Sequence, residues 1–293
     1  MGEPDVEMRV IAARRSVRVH LGEIWEYREL LSGLVRRELK VRYKSSALGF
    51  LWSMAQPIFL LCVYSVVFSI LGAGFEGFAI WLLAGLIVWT YVSTTLSKSV
   101  DAITVNQALV SKVAFPRAVL PLATLGAALI HFGLQSIALA VALVAMWHGV
   151  AWGFVWLLPL GILAITLLLA SAALTLSTVN VYARDTRHLL DLAMVALFWA
   201  NPIIYDYERA ANWFVGRGLP SWIPLLNPVT PIVTTFQRAI FASDTVDGRR
   251  LLPDVSQWWY VRNITIVLVV GAALFLAALR LFDRAEGNFA EAL

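Results

Sequence analysis

Charge is scarce in this chain: Asp, Glu, Lys and Arg make up 14% of its 293 residues, against 60% hydrophobic. A soluble domain carries roughly 25% charge, so the balance identifies an integral membrane protein. The single cysteine, Cys62, excludes a disulfide framework and a thiolate metal site. No GxxxxGK[ST] run is present, so the chain has no usual loop for cradling nucleotide phosphates. HExxH, paired metal ligands and DxD-like carboxylate pairs are missing too. A pump built on this chain must therefore draw its energy from another polypeptide. The N-terminus lacks an apolar core of about 7–15 residues before its first charges, which predicts no cleaved signal peptide. There is no internal repeat, low-complexity tract or heptad run.

What is present is long apolar runs. A membrane span needs about 20 mostly apolar residues, and six stretches qualify: Leu48–Leu71, Phe78–Ser97, Ala118–Trp147, Trp152–Val181, His188–Tyr205 and Trp259–Phe282. Pro57, Pro121, Pro159 and Pro202 fall within them, which is tolerated where neighbouring helices re-satisfy the freed backbone. The predicted class is thus all-α, integral membrane, with six transmembrane helices. A cytoplasmic N-terminal segment, 1–47, precedes a transmembrane domain, 48–293.

The flanks alternate in charge. Residues 1–47 hold ten Lys and Arg, the loop Lys98–Arg117 three, Asn180–Arg187 two and the tail from Arg280 two. Gly72–Gly77 and His148–Ala151 hold none. Lys and Arg concentrate on the cytoplasmic side of spans, so both termini are expected there. The formal net charge of +4 then belongs to these flanks, and no nucleic-acid partner is implied. Asp206–Trp258 is different: its apolar pieces are broken by Pro220, Pro224, Pro228 and Pro231, and none is long enough for a clean crossing. Such pieces read as re-entrant or interfacial helices between spans 5 and 6, with a small surface domain resting on the membrane as the alternative.

The richest stretch is Arg36–Leu51. Its cations Arg36, Arg37, Lys40, Arg42 and Lys44 lead without a break into a charge-free run from Ser45 to Phe75. Upstream, Tyr27, Leu30, Leu31, Leu34, Val35 and Leu39 recur at helical spacing. That pattern predicts an amphipathic interface helix over Glu23–Lys44, with cations at the level of lipid headgroups. Simple topogenic charge is the plainer reading. In Lys98–Arg117, Val100, Ile103, Val105 and Leu109 are spaced for a short helix, which Phe115-Pro116 stops. A loop of this length suits a docking knob better than a bare connector. Around Tyr182, the residues Arg184, Asp185, Arg187 and His188 read as a local ion-pair network rather than a catalytic cluster.

His131 and Gln135 lie one turn apart in the third span, and a neutral histidine hydrogen-bonded within the bundle fits better than a proton relay. Of the aromatics, Trp81, Trp89, Trp147, Trp152, Trp156, Trp258, Trp259 and Tyr260 sit near span ends, as interfacial belts do. Trp52, Phe59, Tyr64, Phe198, Trp199 and Tyr205 fall on the first and fifth spans. Their rings can stack on sugar faces if those spans line a path; lipid or helix packing is the default.

Five segments in order, RRELKVRYKSSALGFLWSMAQP, LVSKVAFPRAVLPL, YARDTRHLLDLAMVALFWANPIIY, LLNPVTPIV and FDRAEGNFAEAL, resemble the membrane subunit of ABC-2-type polysaccharide exporters. These move O-antigen, teichoic acid, capsule or galactan chains across bacterial inner membranes. Ala200-Asn201 before Pro202 departs from the serine expected there. The resemblance implies a homodimer of six-span subunits with two ATPase subunits docked below, which carry the ATP and Mg. No cofactor is implied on this chain. Glu23–Lys44 is similar to the interface and gate helices, and Asp101–Leu109 falls where the coupling helix meets the ATPase. Asp101, Val105, Asn106, Leu109 and Lys112 are then the candidate coupling residues. Asn212–Phe241 falls where re-entrant helices close the outer mouth. The implied cargo is a polyprenyl-pyrophosphate-linked glycan, with the five cations meeting its pyrophosphate. An ABC-2 exporter of a drug or lipid is the alternative, and a membrane enzyme acting on polyprenyl phosphates a distant third.

Overall fold

Four helices are long and apolar enough to cross a bilayer: Phe78–Ser99, Val119–Val141, Trp152–Tyr182 and Gln257–Glu286. At about 1.5 Å per residue, 20 residues cover the hydrocarbon core of about 30 Å. The computed structural model describes residues 17–43, 77–113, 115–145, 149–241, 245–246, 249–253 and 256–289, with nine positions between 58 and 70. The expected first span, Leu48–Leu71, therefore lies largely outside the described residues.

In chain order the helices are α1 (Val17–Glu26), α2 (Arg28–Tyr43), α3 (Phe78–Ser99), α4 (Gln107–Lys112), α5 (Val119–Ala145), α6 (Trp152–Val155), α7 (Leu157–Tyr182), α8 (Thr186–Trp199), α9 (Tyr207–Val215), α10 (Thr230–Ile240) and α11 (Gln257–Glu286). A 3-10 turn, Ile223–Leu226, precedes α10. A two-residue antiparallel pair, Thr245–Val246 with Arg249–Arg250, follows it. The other described elements are helices.

The prolines explain several boundaries. Pro121 and Pro159 sit in the first turns of α5 and α7, where no intrahelical donor is lost. The fifth stretch differs from expectation: α8 has 14 residues and ends at Trp199 rather than Tyr205. Pro202 disfavours helix at Asn201, and the Asn201 side chain closes the end, its Nδ2 donating to Leu197 O at 2.6 Å. Asp206 then caps α9, accepting from the Arg209 amide at 2.7 Å.

Close packing follows small residues. A Cβ on Gly271 of α11 would lie 3.1 Å from Leu168 N and 3.3 Å from Ala164 O of α7. The two backbones approach because no side chain stands between them, the usual solution for helices in lipid. The main core joins α3, α5, α7, α10 and α11 through residues such as Leu86, Phe132, Ile165, Ile232 and Ile264. A second core at the α4 end gathers Ile103, Val110, Phe115, Leu174, Leu279, Phe282 and Phe289, with Ile24, Leu30 and Leu34 packed against it.

At the opposite end lies α10, with ten of its residues buried. Its Thr234 and Thr235 hydroxyls return to Thr230 O (3.0 Å) and Pro231 O (2.6 Å), so buried polar groups are satisfied locally. Gln237 donates to Pro202 O at 3.1 Å and ties α10 to the turn after α8. This seat also corrects the aromatic-belt expectation. Trp81, Trp89 and Tyr260 are buried in the core, and Trp81 meets Phe241 edge-on at 5.8 Å. Trp152, Trp156 and Trp258 are exposed, as a belt requires; Trp147 lies outside the described residues. His131 and Gln135 are both buried within the bundle.

Candidate functional site

The N-terminal helices lie against the bundle. α2 turns Leu31, Val35 and Leu39 inward and leaves Arg36, Arg37 and Lys40 exposed. Val35 Cγ2 comes within 3.0 Å of where a Cβ on Gly126 of α5 would stand. The apolar stripe expected to face lipid is therefore partly used on protein. Of the five cations, Arg36, Arg37 and Lys40 share the exposed side, and Arg37 Nη1 donates to Asn106 Oδ1 at 3.5 Å. Arg42 is in the last turn of α2, but its side chain lies outside the described residues, as does all of Lys44. A cleft between α2, α3 and α5 opens beside them, lined by Glu38, Leu39, Val41, Thr94, Lys98 and Thr124.

The segment after α3 is two-faced. Ile103 and Val110 are buried in the second core, while Val105 is 77% exposed. Lys112 and Ala108 also face outward, and Leu109 is half-buried. The short helix begins at Gln107 rather than near Asp101, because residues 101–106 are held in turns. Asn106 causes this locally: its side-chain amide donates to Ala102 O at 2.8 Å, competing with the helical ladder.

Asp101 sits where this segment meets α7 and α8. Its carboxylate pairs with Arg187 Nη1 and accepts from Asn180 Nδ2 at 3.2 Å. Arg187 also donates from Nε to Asp191 Oδ2 at 3.2 Å and from Nη1 to Ser97 O at 3.0 Å. Burial lowers the Arg187 pKa, but the hydrogen bond to Asp191 and the charges of Asp101 and Asp191 outweigh it and hold the guanidinium above its ordinary value. Of the local network expected from Arg184, Asp185, Arg187 and His188, Arg187 carries the ion pairs seen here, and its partners are Asp191 and the sequence-distant Asp101.

The C-terminal stretch closes the same end. The Arg117 amide donates to Glu286 Oε1 at 2.6 Å, Tyr182 Oη donates to Ala285 O at 3.1 Å, and Phe289 lies edge-on to Phe282 at 5.4 Å. Arg117, Asn180, Glu286 and Phe289 were missed as site residues; only the ordered tail segment hinted that this end has a structural task.

The aromatic residues divide. Tyr64 stacks on Phe198 at 6.2 Å, and Phe198 contacts Trp89 at 5.5 Å and Trp199 at 5.7 Å. Tyr205 Oη donates to Trp199 O at 2.8 Å. Phe59 is 68% and Trp199 57% exposed; Trp52 lies outside the described residues. Phe198 is thus the hub of a packed ladder, and Trp199 and Phe59 present free faces.

Among the described residues, no group of three His, Cys, Asp or Glu side chains could hold a metal ion. The arrangement offers an outward-facing knob, a cationic helix beside it and apolar helices behind.

Comparison with known proteins places the chain in a family. Residues 29–241 match the ABC-2 type transporter family. An O-antigen export system permease protein RfbA of Myxococcus xanthus is 30% identical over 278 residues, covering 92% of this chain and 98% of that one. Its namesake in Klebsiella pneumoniae is 26% identical over 268 residues, covering 90% and 95%. The protein belongs to the ABC-2 type transporter family, as a multi-pass membrane permease subunit rather than an enzyme.

Proposed function

We propose that this chain is the transmembrane subunit of an ATP-driven exporter that moves a polyprenyl-pyrophosphate-linked polysaccharide from the cytoplasmic to the outer side of the bacterial inner membrane. It works as a homodimer of six-span subunits with two ATPase subunits docked on the α4 end, the cytoplasmic end, where both termini lie. The observation that carries this reading is the two-faced segment 101–113. Its inner side is anchored by Ile103 and Val110, while Val105 stands exposed among the described residues. Val113 is exposed and Leu109 half-buried on the same segment, which therefore offers more apolar surface than a lone valine, as a docking contact requires.

Mechanistically, the lipid enters from the inner leaflet beside α2, where Arg36, Arg37 and Lys40 meet its pyrophosphate with charge-assisted hydrogen bonds. ATP binding and hydrolysis on the partner shift the α4 knob, and the helices behind it transmit that shift. α10, short and buried at the opposite end, acts as a re-entrant element closing the outer mouth. Trp199 and Phe59 offer sugar-stacking faces, with Tyr205 holding the Trp199 turn. Support for a glycan cargo comes from the names of the relatives, which are O-antigen export permeases.

The test is deletion and complementation in the native host. Deletion should abolish a surface polysaccharide, and the wild-type gene should restore it together with its co-purifying ATPase. The variant Val105→Asp should lose ATPase association and export while the subunit still accumulates in the membrane. An intact polysaccharide in the deletion strain points instead to a drug or lipid cargo.

A further inference from the structure

α8 is lightly embedded: of its 14 residues only Leu190 and Met194 are buried. Its exposed residues include Leu189, Leu192, Val195 and Trp199. Its aromatic packing gathers at Phe198, near its end, so its start needs another hold. What fixes its start is Arg187.

That guanidinium reaches both α3 and the segment after it, donating to Ser97 O of α3 at 3.0 Å and pairing with the Asp101 carboxylate. On its own helix, Nε holds Asp191 at 3.2 Å, which orients the fork. The other oxygen of Asp101 accepts from Asn180 Nδ2 of α7 at 3.2 Å. Asp101 also begins the turn that becomes α4: its carbonyl accepts from Val105 N at 2.9 Å and Thr104 Oγ1 at 3.1 Å. One residue therefore joins the turn carrying Val105 to the ends of two long helices.

We infer that the Asp101–Arg187 pair is a mechanical clasp that carries displacement of the α4 knob into α8. Asp101 and Arg187 act as positioning residues and touch no cargo. The inference rests on the proposed docking of an ATPase at α4. The well-packed α7 receives the same contact through Asn180 but is held by its close approach to α11, so the motion is expressed in the loosely held α8. Hydrogen bonds from two directions make the clasp stiff, whereas a single exposed ion pair contributes little.

The test uses the full transporter, this chain with its ATPase, in proteoliposomes, and reads α8 directly so that no cargo is needed. In a Cys62→Ser background, Leu192→Cys reports on α8 by its maleimide labelling rate with and without ATP and vanadate. Wild-type contacts should give at least a threefold nucleotide-dependent change. Arg187→Ala should abolish that change while ATP hydrolysis stays within about twofold and the complex still co-purifies, and Asp101→Asn should abolish the change as well. Exchanging the charges, D101R with R187D, built with D191N so that the new carboxylate has no like neighbour, should restore most of the change.

The clasp is overturned if α8 labelling in the wild type ignores nucleotide, or if the single variants keep the full change. It is equally overturned if Arg187→Ala loses the ATPase, or if the exchange assembles without recovery. Val105→Asp in the same assay separates the two ideas. If that variant keeps ATPase and response, the docking reading fails; if it loses both while the clasp variants behave as wild type, only the clasp fails.

Discussion

Across 169 positions of sequence, the Arg117 backbone amide donates to Glu286 Oε1 at 2.6 Å, and its guanidinium reaches the Glu286 carbonyl. The bond pins the end of the last span to the beginning of α5, directly under the α4 turn. Glu286→Ala should lower stability by about 1–3 kcal/mol, the range for losing a charge-assisted hydrogen bond. Thermal unfolding in detergent should show the drop, and Glu286→Gln should recover part of it.

Phe289 belongs to the same closure, buried between Phe282 and Tyr182 at 5.4 and 6.2 Å. Truncating a buried phenylalanine costs about 3–5 kcal/mol, so Phe289→Ala should be worse than Glu286→Ala in the same melting experiment.

Gly271 leaves no room for a side chain against α7. Gly271→Leu should force α11 and α7 apart at a cost of about 1–3 kcal/mol or more. Reduced membrane accumulation and a lower melting temperature would record it, and Gly271→Ala should fall between the two.

The cations of α2 should separate stability from transport. Arg36, Arg37 and Lys40 are exposed, and surface substitutions shift stability by about 0.5 kcal/mol or less. Arg36→Ala with Lys40→Ala should therefore melt like the wild type and keep its ATPase, yet export poorly. Normal surface polysaccharide in a strain carrying that pair would remove the pyrophosphate role from these residues.

The aromatic ladder makes an opposite pair. Phe198→Ala should destabilise the protein, since it removes packing against Tyr64, Trp89 and Trp199. Trp199→Ala should melt nearly normally but slow export if its free face meets sugar. Comparing melting temperature with polysaccharide yield for the two variants distinguishes packing from passage.

The long apolar runs were legible because crossing a bilayer demands a number of consecutive apolar residues, a requirement written along the chain itself. Four of the six expected spans coincide with long helices for that reason. The cationic face of α2 was legible too, since an exposed charge needs no partner to be recognised. Trp81 and Trp89 misled because position near a span end says nothing about what covers a residue from outside; Phe241, Leu251 and Leu252 cover Trp81, and Phe198 covers Trp89. The helix over Val100–Leu109 was displaced by one side chain, Asn106, whose return bond to Ala102 is a local event with a subtle signal.

By itself, the sequence determined the solvent of this protein, its need for an outside energy source and its family, because composition, missing motifs and ordered segments are linear properties. Only the tertiary structure decided that Asp101 meets Arg187 and Asn180, that Arg117 meets Glu286, and that α10 is buried. Those facts depend on which helix ends lie side by side. Side-chain hydrogen bonds act over about 3 Å in space, whatever the distance along the chain.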